Sequence, residues 1–291
     1  MNLNFKKWVL LILLSFIWGS SFILIKKGLI GMTPWQLGGY RLVISSIFIF
    51  LIGFKSLRGL NKKDWKWLSI SGFLGSFFPS FLFAYAELEV DSSVTSALNS
   101  LVPINTVLLG YFIFKIKSSR FQLLGVGIGF FGAMLLIAEG AELNPNQNYN
   151  YSGFILLATL MYAANVNIIK RFLNEVSPLA IATANFIVIF IPSLLVLFFS
   201  KALHGETIQR PEFSFSLLCI VILSIFGTAL AKILFNTLIQ ISTPVFASSV
   251  TYLMPFVALL WGIMDSEIFN LKQLLSLLII LSGIYLVNKK T

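Results

Sequence analysis

Four polar residues recur every fourth position in an otherwise apolar stretch: Thr228, Lys232, Asn236 and Gln240. That spacing puts them on one face of a helix, a face that drifts slowly around the axis. An ammonium flanked a turn away by a hydroxyl and an amide can hold a carboxylate or phosphate and hydrogen-bond the rest of a small polar molecule. A second stripe joins Ser92, Ser96, Asn99, Pro103 and Thr106 at spacings of 4, 3, 4 and 3, and a third joins Ser248, Thr251 and Pro255 at 3 and 4. Small hydroxylated residues suit the wall of a wet cavity and a tight helix contact equally well. Asn99 asks more of its surroundings, because its amide both donates and accepts. Pro103 and Pro255 each remove an in-helix hydrogen bond, so a bend there frees a carbonyl for a ligand or a hinge.

Aromatic side chains stand beside these stripes. Trp18, Tyr85 and Tyr252 can shape a pocket, with Tyr162, Asn165 and Asn167 close by in sequence. Such rings can also hold an amino group by cation–π contact. Arg41 lies about two turns inside an apolar segment, where it snorkels outward or clamps helix ends. Glu87, next to Glu89 and Asp91, is either a solvated rim residue or a proton acceptor, and Lys26 and Lys27 read as interfacial. Lys232 and Glu87 are the two candidates for proton coupling. The chemistry of an enzyme is missing: no phosphate-binding glycine loop, no catalytic triad and no metal-ligand cluster is visible. His204 is the single histidine, and Cys219, the single cysteine, has no intrachain disulfide partner. No metal or other cofactor is expected.

These residues sit in a chain of 291 residues that is 57% apolar and 11% charged, with a mean hydropathy of +0.90. An average soluble domain is about 25% charged, so the composition is that of a polytopic membrane protein. Ten stretches approach the roughly 20 apolar residues that cross a bilayer: 8–27, 35–54, 67–87, 94–114, 121–138, 153–170, 178–200, 215–240, 244–264 and 271–288. They are apolar all round, unlike the alternating strands of a barrel. With the N-terminus placed in the cytoplasm, 14 basic residues fall inside and 5 outside. The positive-inside rule therefore puts both termini in the cytoplasm. The net charge of +10 is mainly this topology signal, and basic residues in short juxtamembrane loops do not suit nucleic acid.

The two halves repeat one another. An offset of 152 lays Gly75 on Gly227, Pro103 on Pro255 and Gly110 on Gly262; one of 151 lays Gly132 on Gly283; one of 144 lays Trp18 on Tyr162 and Pro34 on Pro178. Five spans per half is an odd number, so the second half enters the membrane from the opposite side, as in many secondary transporters. The expected division is a first repeat at 1–140, a linker at 141–151 and a second repeat at 152–291.

With ten spans, this repeat, Trp18-Gly-Ser-Ser-Phe in the first helix, Pro34 and Arg41 in the second, Gly75 through Leu88, Pro103 and the glycines 125, 127, 129 and 132 of the fifth, the chain resembles the EamA family of the drug/metabolite transporter superfamily. It departs at Lys115-Ile-Lys117, where the family usually places an acidic residue; the second half keeps Asp265 and Glu267. The resemblance implies a ten-helix permease of two inverted repeats in a bacterial cytoplasmic membrane. It also implies export of a small metabolite, often an amino acid, with multidrug export and exchange of organic anions or nucleotide sugars among relatives. The expected substrate is zwitterionic or anionic. Lys232 would meet its charge, and Asn99, Thr228 and Asn236 would bond it. Trp18, Tyr85, Tyr252, Ser96 and Thr251 would line the pocket, and Pro103 and Pro255 would let the gates bend. Lipid and substrate are the expected partners, and the chain a monomer or homodimer. A scaffold without transport would need a soluble interaction surface that these short loops do not supply.

Overall fold

The structure is a computed structural model that describes residues 3–113, 120–143, 147–267 and 269–288, and every regular element among them is helical. The first half begins with α1 (Leu3–Gly28) and α2 (Pro34–Gly53). A continuous apolar helix α3 (Lys62–Ala86) follows, then α4 (Ser92–Asn99), α5 (Val102–Phe112) and α6 (Arg120–Leu143). The second half has α7 (Ser152–Phe172), α8 (Pro178–Phe199), α9 (Phe213–Ile241), α10 (Pro244–Ser248), α11 (Met254–Met264) and α12 (Leu271–Asn288). Eight described segments are long and apolar enough to cross a membrane. The stretch expected at 94–114 is instead two shorter helices, α4 and α5. The one at 271–288 has a shorter apolar part, Leu271–Gly283. Lys115 and Lys117 lie outside the described residues.

Helix starts are written locally and in both halves. Thr33 caps α2 in a box with Gln36, and Ser177 caps α8 by accepting from Ala180 N–H; each is followed by proline at the first turn. A hydroxyl there satisfies an amide that has no partner inside the helix, and proline there has no amide to lose. Thr243-Pro244 repeats the device at α10.

Both breaks before the paired prolines are real, but they are interruptions rather than bends. Pro103 stands in the first turn of α5 and Pro255 in the first turn of α11. A 3-10 turn, Ser249–Tyr252, separates α10 from α11. The backbone carbonyls at that break are taken by other helices: Ser15 Oγ donates to Val250 O at 2.8 Å and Ser100 Oγ to Thr251 O at 3.0 Å.

A second paired irregularity was not expected. Residues Phe73–Phe77 of α3 and Leu223–Leu230 of α9 are wound as π-helix, around Gly75 and Gly227 respectively. Such widened turns occur often at functional sites, because they turn backbone groups away from the regular ladder. The halves also interlock. α2 packs on α8, α1 on α11 and α6 on α12. The last pair is drawn close by glycine: a Cβ on Gly283 would stand 2.6 Å from Gly125 O.

Candidate functional site

The cavity at the centre of the bundle is built by the repeat. Its enclosed volume is about 100 Å³, room for a small polar molecule. Its walls come in matched pairs. At offset 144 these are Trp18 with Tyr162, Ser21 with Asn165, and Phe22 with Val166. At offset 152 they are Gly75 with Gly227, Ser76 with Thr228, Ser80 with Lys232, Phe83 with Phe235, Asn99 with Thr251, and Val102 with Met254. Both π-wound turns and both interrupted helices therefore reach the same space from opposite halves.

Hydrogen bonds cross between the halves at the π-wound turns. Trp18 Nε1 donates to Gly227 O at 2.9 Å, and Lys232 Nζ donates to Gly75 O at 2.9 Å. The Trp18 ring meets Phe235 edge to face, with centroids 4.8 Å apart. Lys232 is 6% exposed and Arg41 9%. Arg41 Nε donates to Thr228 Oγ1 at 2.8 Å, and Thr228 in turn donates to Leu223 O at 3.0 Å. Asn99 is buried, its Nδ2 faces Met254 Sδ at 4.0 Å, and its Oδ1 has no hydrogen-bond partner among the described residues. No carboxylate is among the described residues that line the cavity.

Lys232, Thr228, Asn99, Trp18 and Thr251 thus meet in one cavity, while four other expected residues do not line it. Asn236 donates to Pro178 O at 3.3 Å, and Gln240 to Leu173 O and Val176 O. The polar stripe of α9 divides: Thr228 and Lys232 line the cavity, and Asn236 and Gln240 pin the segment between α7 and α8. Tyr85 packs against Trp35 and Phe154. Ser96 is fully buried with an unbonded hydroxyl, and Tyr252 is part-buried in the 3-10 turn. Arg41, which sequence left open between snorkelling and clamping, lines the cavity. Ser21, Ser76 and Ser80 are cavity residues that sequence reasoning missed. The repeat offsets could have found Ser76 and Ser80, since they map onto Thr228 and Lys232.

At one end the bundle is closed by ions. Lys26 contacts Asp265 at 3.0 Å and Glu267 at 2.8 Å, and Lys27 pairs with Asp265. Glu267 also accepts from Ser92 N–H, Ser93 N–H and Ser93 Oγ–H at 2.8–3.2 Å. The two lysines are therefore partners in a latch that joins α1, α4 and the loop after α11, rather than interfacial groups alone. Burial would raise the Asp265 carboxyl, but Lys27 and Lys26 hold it below its ordinary value. Glu87, one residue beyond α3, is 7% exposed and accepts from Ser92 Oγ at 3.0 Å, so it is no solvated rim residue. Burial pushes its carboxyl well above the ordinary value, against the Ser92 bond; nearby Glu267 adds to the rise.

The sequence profile of the EamA-like transporter family matches residues 6–138 and again 151–289. "Uncharacterized inner membrane transporter YedA" of Escherichia coli is 25% identical over 86% of this chain and 79% of its own length. "Probable amino-acid metabolite efflux pump" of Salmonella typhimurium is 31% identical over 60% of this chain and 56% of its own. The chain spans about half, 48%, of "Uncharacterized transporter YdfC" of Bacillus subtilis, at 30% identity over 52% of this chain. A solved crystal structure shares the fold with a TM-score of 0.60 at 15% identity, covering 96% of both chains.

Proposed function

This chain belongs to the EamA-like transporter family, and from that premise we propose that it exports a small polar metabolite bearing an anionic group across the cytoplasmic membrane. Amino acids are the first class to test, because a relative carries a name of that kind. The central cavity between the halves is the proposed transport site, and alternating access is the proposed mechanism. Each half would rock against the other, opening the cavity first to one side and then to the other. Both termini would lie in the cytoplasm, as the lysine distribution favours. The ion latch of Lys26, Lys27, Asp265 and Glu267 would then close the outer face.

The observation that carries the reading is Lys232. Burying an ammonium costs several kcal/mol unless a partner offsets it, and its hydrogen bond goes to a neutral carbonyl, Gly75 O. A substrate carboxylate or phosphate is the missing partner. Asn99 Oδ1, left without a donor, would accept from the substrate, and Thr228 would orient Arg41. When the substrate's anionic group takes Lys232 from Gly75, a bond between the halves is released. That links occupancy to rocking. The interruptions before Pro103 and Pro255 are where α4–α5 and α10–α11 can flex.

The test is counterflow in proteoliposomes, with a panel of amino acids, organic acids and nucleosides, in wild type and Lys232→Ala. Specific flux lost in the variant, with the variant still folded, supports the site. Unchanged flux removes Lys232 from the transport path. Repeating the assay with a pH gradient tests proton coupling through Lys232 or Glu87. A second reading, exchange of organic anions rather than amino-acid export, is favoured by Arg41 in the same cavity.

A further inference from the structure

The paired walls of the cavity separate what the fold requires from what the ligand requires. Wherever the two halves supply equivalent residues, the position is served by a neutral side chain at least once. The two charges are where the halves differ: Lys232 is matched by Ser80 and Arg41 by Asn185. Ser80 Oγ closes on its own helix, donating to Ser76 O at 2.7 Å. The Asn185 amide is 3.0 Å from Ser71 Oγ, away from the cavity lining. Each matched position packs and is hydrogen-bonded without a charge, so the repeat itself does not dictate the two cations. We propose that Arg41 and Lys232 together select the substrate's charge: the cavity takes a small dianion, a dicarboxylate or a phosphate monoester, in preference to zwitterionic amino acids. This rests on the transporter reading above and narrows its substrate.

The geometry supports two anionic contacts. Among the described residues, Arg41 commits Nε, to Thr228, and Lys232 commits one bond, to Gly75 O, which leaves donors on both cations. Both cations line the same cavity, so two carboxylates on a short carbon chain, or the oxygens of one phosphate, can engage donors on both. Glu87 is the acidic group whose field reaches Arg41, and its burial favours the neutral acid. A monoanion would leave one buried cation without a counter-charge. A zwitterion would add a third positive group where no lining residue offers a carboxylate. For such a substrate the better partners, a hydroxyl and an aromatic face, do not compensate a charge fully.

The experiment is counterflow in proteoliposomes with three arms: succinate and malate, glycerol 3-phosphate, and alanine and leucine. Wild type, Arg41→Gln, Arg41→Lys and Lys232→Gln are compared, and each variant's melting temperature in detergent is read with and without each compound. One dianion arm is expected to exceed the amino-acid arm at least tenfold and to raise the wild-type melting temperature. Arg41→Gln should cut that flux about a hundredfold, the usual scale for truncating one side of a buried charge pair, and abolish the ligand-induced shift. Arg41→Lys should restore part of both. Which dianion arm responds distinguishes carboxylate from phosphate. Amino-acid flux equal to or above dianion flux overturns this inference and leaves the transporter reading standing. Flux of neither class, with no thermal shift, overturns both.

Discussion

Replacing Gly75 by alanine tests whether the crossing bond at the π-wound turn is part of the site. A Cβ built there stands 2.6 Å from Lys232 Nζ and 2.6 Å from both Cγ and Nδ2 of Asn165. The lysine end can swing away, but Asn165 is held: Ser71 Oγ donates to its Oδ1 at 2.6 Å. The methyl therefore displaces the ammonium from Gly75 O and crowds a pinned amide. A hydrogen bond from a charged group contributes about 1.5–3 kcal/mol, and overpacking costs about 1–3 kcal/mol. A loss of about 2.5–6 kcal/mol is expected, together with apparent substrate affinity weakened at least tenfold. Gly127→Ala is the control, since nothing lies within 4 Å of its added methyl. Both variants would be purified, melted in detergent and assayed by counterflow across substrate concentration. If Gly75→Ala melts and transports like Gly127→Ala, Lys232 is not positioned by the π-wound carbonyl and the reasoning fails.

Other variants probe the rest of the bundle. Glu87→Gln keeps an acceptor for Ser92 and removes a carboxyl whose ionisation burial opposes. Because the folded carboxyl is raised above its unfolded value, wild type loses stability as pH climbs through that interval. The variant should match wild type in melting temperature at about pH 3.5, below the unfolded value, and exceed it at pH 8; a lower melting temperature at pH 8 would mean the ionised form is needed. Glu267→Gln should weaken the latch to Lys26 and the amides of Ser92 and Ser93, lowering thermal stability and speeding exchange if that end must open. The opposite carboxylate case applies to Asp265: its depressed value means the latch contributes fully at neutral pH and is lost only as pH falls below about 4, which melting curves against pH would show. Gly283→Leu drives a side chain against Gly125 O and Gly129, so it should destabilise by about 1–3 kcal/mol or more, read as loss of folded protein on size exclusion.

Much of this was legible in the residues. Apolar length gave eight of the ten expected spans among the described residues, and the offsets of 144 and 152 paired Trp18 with Tyr162 and Gly75 with Gly227, because a duplicated helix keeps its cavity face. Lys232, Thr228 and Asn99 stood out as polar groups where lipid should be. What escaped sequence were the places where helix geometry departs from 3.6 residues per turn. A stripe counted every four residues carries Asn236 into the cavity on paper. It lies one regular turn beyond Lys232 and donates to Pro178 O instead. Arg41 was ambiguous because a long side chain two turns from an interface can reach in either direction, and only the position of Thr228 decides which. The latch was invisible for a different reason: Lys26 and Glu267 are 241 residues apart, and no local pattern joins them.

The central claim is that this cavity opens to each side of the membrane in turn. Ser76 lines it and is buried, and Cys219 is the single native thiol. Placing Ser76→Cys in a Cys219→Ser background gives one reporter in the cavity wall. Membrane-impermeant thiol reagent would be applied separately to each face of oriented vesicles, with and without transported substrate. The account predicts labelling from both faces and protection by substrate on each. Labelling from one face alone, under every condition, would contradict it.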